Sequence, residues 1–404
     1  MAKMKVLALS YLFPNTEQPN HGIFVYNRLN ALSKYVDIKV INPIPWSPIH
    51  SKLSQYVYLE RIPEKITLGN LEVFHPRFFS IPKYLKTLEA FSYKLAVKRI
   101  LTNELKTYEF DLIDLHWTYP DLPTGHFLSR AHHKPYLVSL RGYEAFHIPD
   151  PGFRKNIVKH YLKQADQIIA LSHDLKKVSI GLGAAEEKHQ VIRNGVDTER
   201  FGFISKNDAR KKLNIPATEK VIISIGRIVK PKGFDLIINA LPEIIEKSTC
   251  KDIKLYIIGT PDPADDFTGE LKGMIAKLKL ENNVVFQGGV ANQELVDWYN
   301  AADVFCLASR GEGSPNVLTE ALSCGCPSVA TDVGAVKEII ESEPNIGECV
   351  PSDDSASLGL ALSNVLGRDY QREQNAMVFS RYNWDWCAQK VLDVYKTAIE
   401  NPIK

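Results

Sequence analysis

The second half of this 404-residue chain contains no histidine, and its first 249 residues contain no cysteine. All six cysteines (Cys250, Cys306, Cys324, Cys326, Cys349 and Cys387) lie late, several inside apolar runs such as VFCLAS. A thiol in such a run behaves as a small core hydrophobe, so the composition excludes a disulfide scaffold and points to reduced cysteines. Cys324 and Cys326 have no second close pair, which leaves a structural zinc site without a ligand pattern. No Asp-x-Asp triplet occurs, so a divalent-metal clamp on a diphosphate has no obvious ligands. Gly-x-Gly-x-x-Gly is missing too, which removes the dinucleotide fingerprint and any call for a nicotinamide cofactor. No uncharged apolar run approaches the roughly 18 residues of a membrane span. MAKMKVLALSYLFPN has the lysines and short apolar run of a signal peptide but no small-residue cleavage site, so it reads as a first strand. The expected location is cytoplasmic, at most peripheral on the inner membrane surface.

What is present is ordinary for a globular protein: 45% hydrophobic and 24% charged residues. The length suits two domains. Residues 1–200 carry 27 Lys/Arg against 19 Asp/Glu, and residues 201–404 carry 22 against 28, so the halves have different surfaces. Short β-branched runs alternate with helix-period segments, the pattern of βαβ units and parallel sheets. Lys5–Ser10, Val36–Asn42, Asp111–His116, Tyr136–Leu140 and Gln167–Leu171 read as strands of a first sheet. Lys220–Gly226, Ile253–Gly259, Val284–Phe286, Val304–Ala308 and Pro327–Thr331 read as strands of a second. The expected fold class is α/β, with two Rossmann-like domains facing across a cleft: residues 1–200 and 217–380, with 381–404 a helix crossing back to the first. Asn194-Gly195-Val196-Asp197 lies between the two strand series, and the polar stretch Ser205–Thr218 reads as the interdomain connection with one short helix in it. Ligands of such sheets bind at the carboxyl ends of the strands, so motifs matter most just after strands.

Ser309-Arg310-Gly311-Glu312-Gly313-Ser314-Pro315-Asn316-Val317-Leu318-Thr319-Glu320 follows such a strand. Ser314 as N-cap and Pro315 as first helical residue start a helix whose free N–H groups and macrodipole suit a phosphate. Glu312 in the loop and Glu320 on the helix face of Asn316 either accept hydrogen bonds from sugar hydroxyls or are solvated surface acids. Gly226-Arg227-Ile228-Val229-Lys230-Pro231-Lys232-Gly233 places two cations in a strand-to-helix turn, where they either neutralise a diphosphate or form a basic surface loop.

With the surrounding EGSPNVLTEALSCGCPSVATDVGAVKEII, the seven residues between Glu312 and Glu320 make this region closely resemble the E-x7-E region of family-4 retaining glycosyltransferases of the GT-B fold. The resemblance implies transfer of a hexose from a nucleotide-diphosphate donor to an acceptor hydroxyl, with retention and no required metal or cofactor. It implies that Arg227 and Lys232 hold the pyrophosphate, Glu312 the donor sugar and Glu320 the ribose, with Gly226, Gly313, Ser314, Asn316, Val317 and Val290 also on the donor. Gly259-Thr260-Pro261 stands where the family often has Gly-x-Gly. In the first half, Asn20-His21-Gly22 resembles the glycine loop near the transferred group, where Gly22 either takes that role or is an ordinary loop glycine. Arg141, in Leu140-Arg141-Gly142-Tyr143-Glu144, stands where relatives have His-Gly-x-Asp and joins Glu312, Arg227 and Lys232 as a catalytic candidate. His116, after DLIDL, either lines the cleft or is structural.

The resemblance also implies a glycan or lipid-linked acceptor in surface polysaccharide or glycolipid synthesis, and no nucleic-acid partner. Between Arg77 and Arg99, six cations (Arg77, Lys83, Lys86, Lys94, Lys98 and Arg99) are interleaved with Phe78, Phe79, Tyr84, Phe91 and Tyr93 against one acid, Glu89. That segment is either a membrane-surface face or a basic amphipathic helix packed on its own domain. The alternatives to a transferase are a nucleotide-sugar epimerase or hydrolase of the same fold, and a non-catalytic two-lobed sugar-binding protein.

Overall fold

All-apolar runs form the strands because a parallel sheet is covered on both faces. In the computed structural model, which describes residues 3–81, 89–142, 153–248 and 250–401, Tyr136–Leu140 and Val304–Leu307 are buried along their whole length. The chain divides into one unit of Met1–Asn194 with Trp384–Lys404 and a second of Gly195–Asn383.

The first unit holds β1 (Lys5–Leu9), β2 (Asp37–Ile41), β3 (Ile44–Trp46), β4 (Lys65–Leu68), β5 (Leu71–Phe74), β6 (Arg77–Phe79), β7 (Leu112–Leu115), β8 (Tyr136–Leu140), β9 (Gln167–Ala170) and β10 (His189–Val191). Its eight-stranded sheet has the order β10-β9-β8-β7-β1-β2-β5-β4, parallel except for the β4/β5 pair, while β3 and β6 pair separately. Successive residues of β1 alternate sides: Leu7 and Leu9 enter one core layer, Val6 and Ala8 the other.

The second unit holds β11 (Lys220–Ile225), β12 (Ile253–Ile258), β13 (Val284–Gly288), β14 (Val304–Leu307), β15 (Ser328–Thr331) and β16 (Gly347–Val350), all parallel, in the order β13-β12-β11-β14-β15-β16. The order reverses between β11 and β14, and such a switch point opens a crevice at the strands' carboxyl ends. There the backbones close up. A Cβ on Gly259, whose φ is +151°, would lie 1.9 Å from the Gly226 carbonyl oxygen. The turn Gly259-Thr260-Pro261 thus makes a close backbone approach at its first glycine, with Pro261 where the family often has a second.

Three sequence expectations change. Ser205–Thr218 is no connection between units: its helix, Lys206–Leu213, starts on a Ser205 cap and buries Arg210 against Asp303 at 2.7 Å within the second unit. The chain passes between units at Asn194/Gly195 and again at Asn383/Trp384, a few residues from the expected ends at 200 and 380, and the second unit begins well before residue 217. Pro315 is extended and caps the helix Asn316–Ser323, so the helix begins one residue later than expected, with Ser314 outside it. No helix among the described residues is long and apolar enough to cross a membrane.

The C-terminal helix Trp384–Glu400 buries Cys387, Ala388, Val391, Val394, Tyr395 and Ala398, a one-sided stripe that packs on Val6, Ala8 and Val25 of the first unit. Tyr395 donates its hydroxyl to Asp114 Oδ2 at 2.5 Å, inside the core. Burial would raise the Asp114 carboxyl, but His116, Tyr395 and Arg28 outweigh it and hold the group below its usual range. Replacing Tyr395 with Phe removes a bond to a buried carboxylate and should cost about 1–3 kcal/mol. Urea unfolding checks this; an unchanged midpoint would mean that Asp114 needs no partner from the helix.

Candidate active site

The helix Phe234–Lys247 begins after Gly233, which has φ +69° and stands so close to Ala308 that a Cβ would lie 1.8 Å from its carbonyl oxygen. This approach sets the turn after β11 directly against the end of β14. Lys232 then donates to Glu312 Oε1 at 2.6 Å, and Ser309 donates to the same oxygen at 2.7 Å. Glu312 and Lys232 are mostly buried, 14% and 26% exposed at their side chains. Gly226 lies beside the Lys232 stem, where a Cβ would meet ordinary contacts near 3.5 Å, so its lack of a side chain is not forced by sterics there.

Arg310 holds the two turns together, a role that sequence reasoning missed. Its guanidinium makes a two-pronged pair with Asp235, at 2.9 and 2.7 Å, and donates to the Lys230 carbonyl at 2.7 Å. Its backbone N–H bonds the Pro231 carbonyl at 2.8 Å. A planar fork matched to a carboxylate fixes geometry as well as charge. On the other side Gly334, at φ +57°, nests against the carbonyls of Glu312 and Gly313, and Ala335 donates to Gly313 at 3.0 Å.

Arg227 goes elsewhere. It is 70% exposed at its side chain and pairs with Asp262 at 2.6 Å, in the loop after β12. Asp262 also accepts from the Ala264 N–H at 3.0 Å, so the carboxylate is held. Val290 follows the end of β13, half-buried against the core, and the neighbouring Gly289 abuts Thr260. The turns after β11, β12, β13 and β14 thus line one edge of the sheet.

On the helix Asn316–Ser323, Leu318, Ala321 and Leu322 are buried and Val317 is half-buried. Asn316 opens the first turn, where its carbonyl accepts from Thr319 Oγ1 at 2.8 Å. Ser314 Oγ is buried without a partner among the described residues. Glu320 is not a solvated acid: it accepts from the Tyr299 hydroxyl at 3.0 Å, and burial pushes its carboxyl up to about 7.

In the first unit, Gly22 has φ +69° and caps the helix Ile23–Leu32, with room for no Cβ beside the Leu12 carbonyl. Arg141 is buried at the end of β8. It faces His116 Nδ1 at 2.9 Å and Asn194 Oδ1 at 3.3 Å, with its guanidinium over the Phe24 ring. His116 is fully buried, 2.9 Å from Asp114 Oδ2, which favours its structural reading; burial lowers its pKa. Tyr143 and Glu144 lie outside the described residues.

Residues 205–380 match the family described as Glycosyl transferases group 1, and residues 56–200 match Glycosyltransferase Family 4. The chain is 27% identical over 349 residues to the putative teichuronic acid biosynthesis glycosyltransferase TuaC of Bacillus subtilis, with 83% of each chain covered. A sucrose-phosphate synthase from Thermosynechococcus elongatus has the same fold, with a TM-score of 0.79 at 19% identity over 98% of this chain and all of that one. The Anabaena protein HepE, solved in complex with UDP, gives 0.73 at 21% identity over 98% of this chain and all of that one. The chain belongs to the family-4 glycosyltransferases and is a retaining hexosyltransferase with the GT-B fold, in a family that uses nucleotide-sugar donors.

Glu320 makes stability depend on pH. Its folded value, about 7, exceeds the ordinary 4.5, so its favourable share is complete below about pH 4.5 and is lost as pH rises through 7. Glu320→Gln should therefore stabilise the protein more at pH 8 than at pH 5, as read from urea midpoints. An equal shift at both pH values would mean that the carboxyl titrates normally.

Proposed function

We propose that the chain moves a hexose from a nucleoside-diphosphate donor to an acceptor hydroxyl in surface polysaccharide or glycolipid synthesis. The observation that carries this reading is the Lys232–Glu312 pair across the β11/β14 switch point, beside the start of the helix Asn316–Ser323. HepE is solved with UDP and with UDP-glucose, which makes UDP-glucose the first donor to try. The relation to TuaC supports a polysaccharide product.

In the proposed reaction the bond from the anomeric carbon to the diphosphate oxygen breaks, and the acceptor oxygen bonds to that carbon on the same face. The acceptor proton passes to the departing phosphate. Arg227, Lys232 and the N–H groups opening at Asn316 stabilise the leaving charge, with Gly226, Gly313 and Ser314 letting backbone approach it. Arg227 exchanges Asp262 for phosphate. Glu312, held by Lys232 and Ser309, accepts from donor-sugar hydroxyls, and Glu320 accepts from the ribose. Val290 and Val317 border the nucleotide. Gly22 and Arg141 are proposed, on the sequence resemblance, for the transferred sugar.

The acceptor is proposed to be lipid-linked and met at a membrane surface. The helix Glu89–Asn103 leaves Phe91 and Leu95 exposed, with Lys94 over the Phe91 and Phe127 rings and Lys98 and Arg99 alongside. Exposed rings beside cations suit an anionic bilayer, at about 1 kcal/mol per cation. Lys83, Tyr84 and Lys86 lie outside the described residues.

Release of nucleoside diphosphate that depends on added acceptor tests the reading; release without one would favour a hydrolase. Arg227→Ala or Lys232→Ala should each cost about 2–4 kcal/mol of transition-state stabilisation with folding intact. Turnover at the wild-type rate in the double variant would remove both from the site. Flotation with anionic vesicles should show salt-sensitive binding that weakens when Lys83, Lys86 and Lys94 become Glu. No binding at low salt would leave a soluble acceptor.

A further inference from the structure

A pocket of about 300 Å³ opens at the carboxyl ends of β1 and β2, and its walls come entirely from the first unit. Its position obeys the strand-end rule for ligands of parallel sheets. Its volume, at the low end for ligand sites, suits one small ring or two. Among the described residues its lining contains no Asp, Glu, Lys or Arg, with His21 and His50 its only titratable groups besides the tyrosines, although the half it comes from is rich in cations.

Three kinds of surface meet there. Tyr11, His50, Tyr56 and Tyr58 supply aromatic faces, with His50 edge-on to Tyr56 at 5.2 Å between centroids. Tyr56 and Tyr58 stand on the 3-10 segment Ser54–Arg61, anchored on the small apolar cluster of Ile44, Leu59 and Ile62. Asn15, Gln18 and Asn42 supply amides that both donate and accept. Asn42 is held in place by bonds from its amide nitrogen to the carbonyls of Ser10 and Tyr11, at 2.7 and 3.1 Å. Its buried Oδ1 has no partner among the described residues, an acceptor left open in a fixed wall.

A phosphate, uronate or ammonium group entering this pocket would lose its water and find no carboxylate, lysine or arginine among the described lining residues, a cost that neutral hydroxyls escape. A pyranose ring fits all three surfaces. Its apolar C–H face covers an aromatic ring, and its hydroxyls pair with amides and phenols.

We propose that this pocket seats an uncharged sugar ring of the acceptor, with Tyr56 and Tyr58 as stacking platforms, and that charged parts of the acceptor stay outside it. The proposal rests on the transferase reading above and names the acceptor's chemical class.

Binding of p-nitrophenyl glucoside, galactoside and mannoside, in both anomeric forms, and of p-nitrophenyl β-glucuronide, measured by calorimetry with UDP present, tests it. At least one neutral hexoside should bind in the millimolar range, and the glucuronide at least tenfold more weakly. Tyr56→Ala and Tyr58→Ala should each weaken the hexoside at least tenfold, Tyr58→Phe much less, and all three should keep wild-type UDP affinity and melting temperature. Gln18→Lys, which installs a cation in the wall, should move preference toward the glucuronide. Failure of every hexoside, a glucuronide bound as well as the hexosides, or tyrosine variants without effect would each overturn the proposal. Hexosides that bind through the tyrosines but never support nucleotide release would sink the transferase reading and leave the pocket assignment standing. Release that proceeds normally in the tyrosine variants would do the reverse.

Discussion

The candidate site depends on one ion pair, Arg310 with Asp235. β11 and β14 are neighbours in space but about 80 residues apart in sequence, so nothing local brings the turns after them together. Gly233 lets one backbone reach Ala308, and the guanidinium fork then bridges Asp235, the Lys230 carbonyl and Asp353. A point charge in place of the fork would satisfy the charge but not the two parallel bonds. With the turns fixed, Lys232 and Glu312 fall within hydrogen-bond distance, and the carboxylate is held from two sides by Lys232 and Ser309. Such rigidity is what electrostatic stabilisation of a leaving group requires, because dipoles already in place need not reorganise.

The sequence carried the fold where pattern and packing agree. The runs Lys5–Ser10, Val36–Asn42 and Tyr136–Leu140 became β1, β2 and β8 within a residue or two, because central parallel strands must be apolar on both faces. Edge and auxiliary strands were missed. β4 and β5 are a hairpin whose alternating pattern about Gly69-Asn70 was there to be read, with Gly69 at φ +56°. β16 is a short, half-exposed edge with little pattern to find. The motif residues after β11 and β14 were placed correctly at strand ends, whereas their partners were not foreseeable. Asp262, Asp235 and Tyr299 meet their partners only through tertiary contacts. The Ser205–Thr218 stretch misled because its composition is polar while Ala209 and Arg210 are buried, the latter by pairing with Asp303.

The first unit has its own buried polar structure. Arg28 and Arg141 both donate to Asn194 Oδ1, Arg28 also to Ser139, and Arg141 faces His116, which faces Asp114, which accepts from Tyr395. Charges this deep cost several kcal/mol apiece unless paired, so each member is held by the others. Asn194 closes the network at the very residue where the chain leaves the unit, and Tyr395 closes it from the helix with which the chain returns. The residue that ends the first passage through the unit and the helix that begins the second thus meet in one cluster, which also holds the Arg141 side chain.

The distribution of charge separates what a net count suggests from what a site does. The first half carries the cation excess, yet among the described residues the pocket at the ends of β1 and β2 is lined by no Asp, Glu, Lys or Arg. Its cations lie on outer faces such as the helix Glu89–Asn103. The second half carries the acid excess, yet it supplies both cations expected to meet a diphosphate. Those cations already have carboxylate partners: Lys232 has Glu312, and Arg227 has Asp262. A buried or half-buried cation without a ligand needs such a partner, so acids accumulate around an anion site. The excess of acids in that half is therefore compatible with phosphate recognition, and the exchange of carboxylate for phosphate differs between the two cations. Arg227, mostly exposed, can leave Asp262 at little cost because an exposed pair is worth about 0–1 kcal/mol. Lys232 is less exposed and its partner is also held by Ser309, so that pair is the harder one to part.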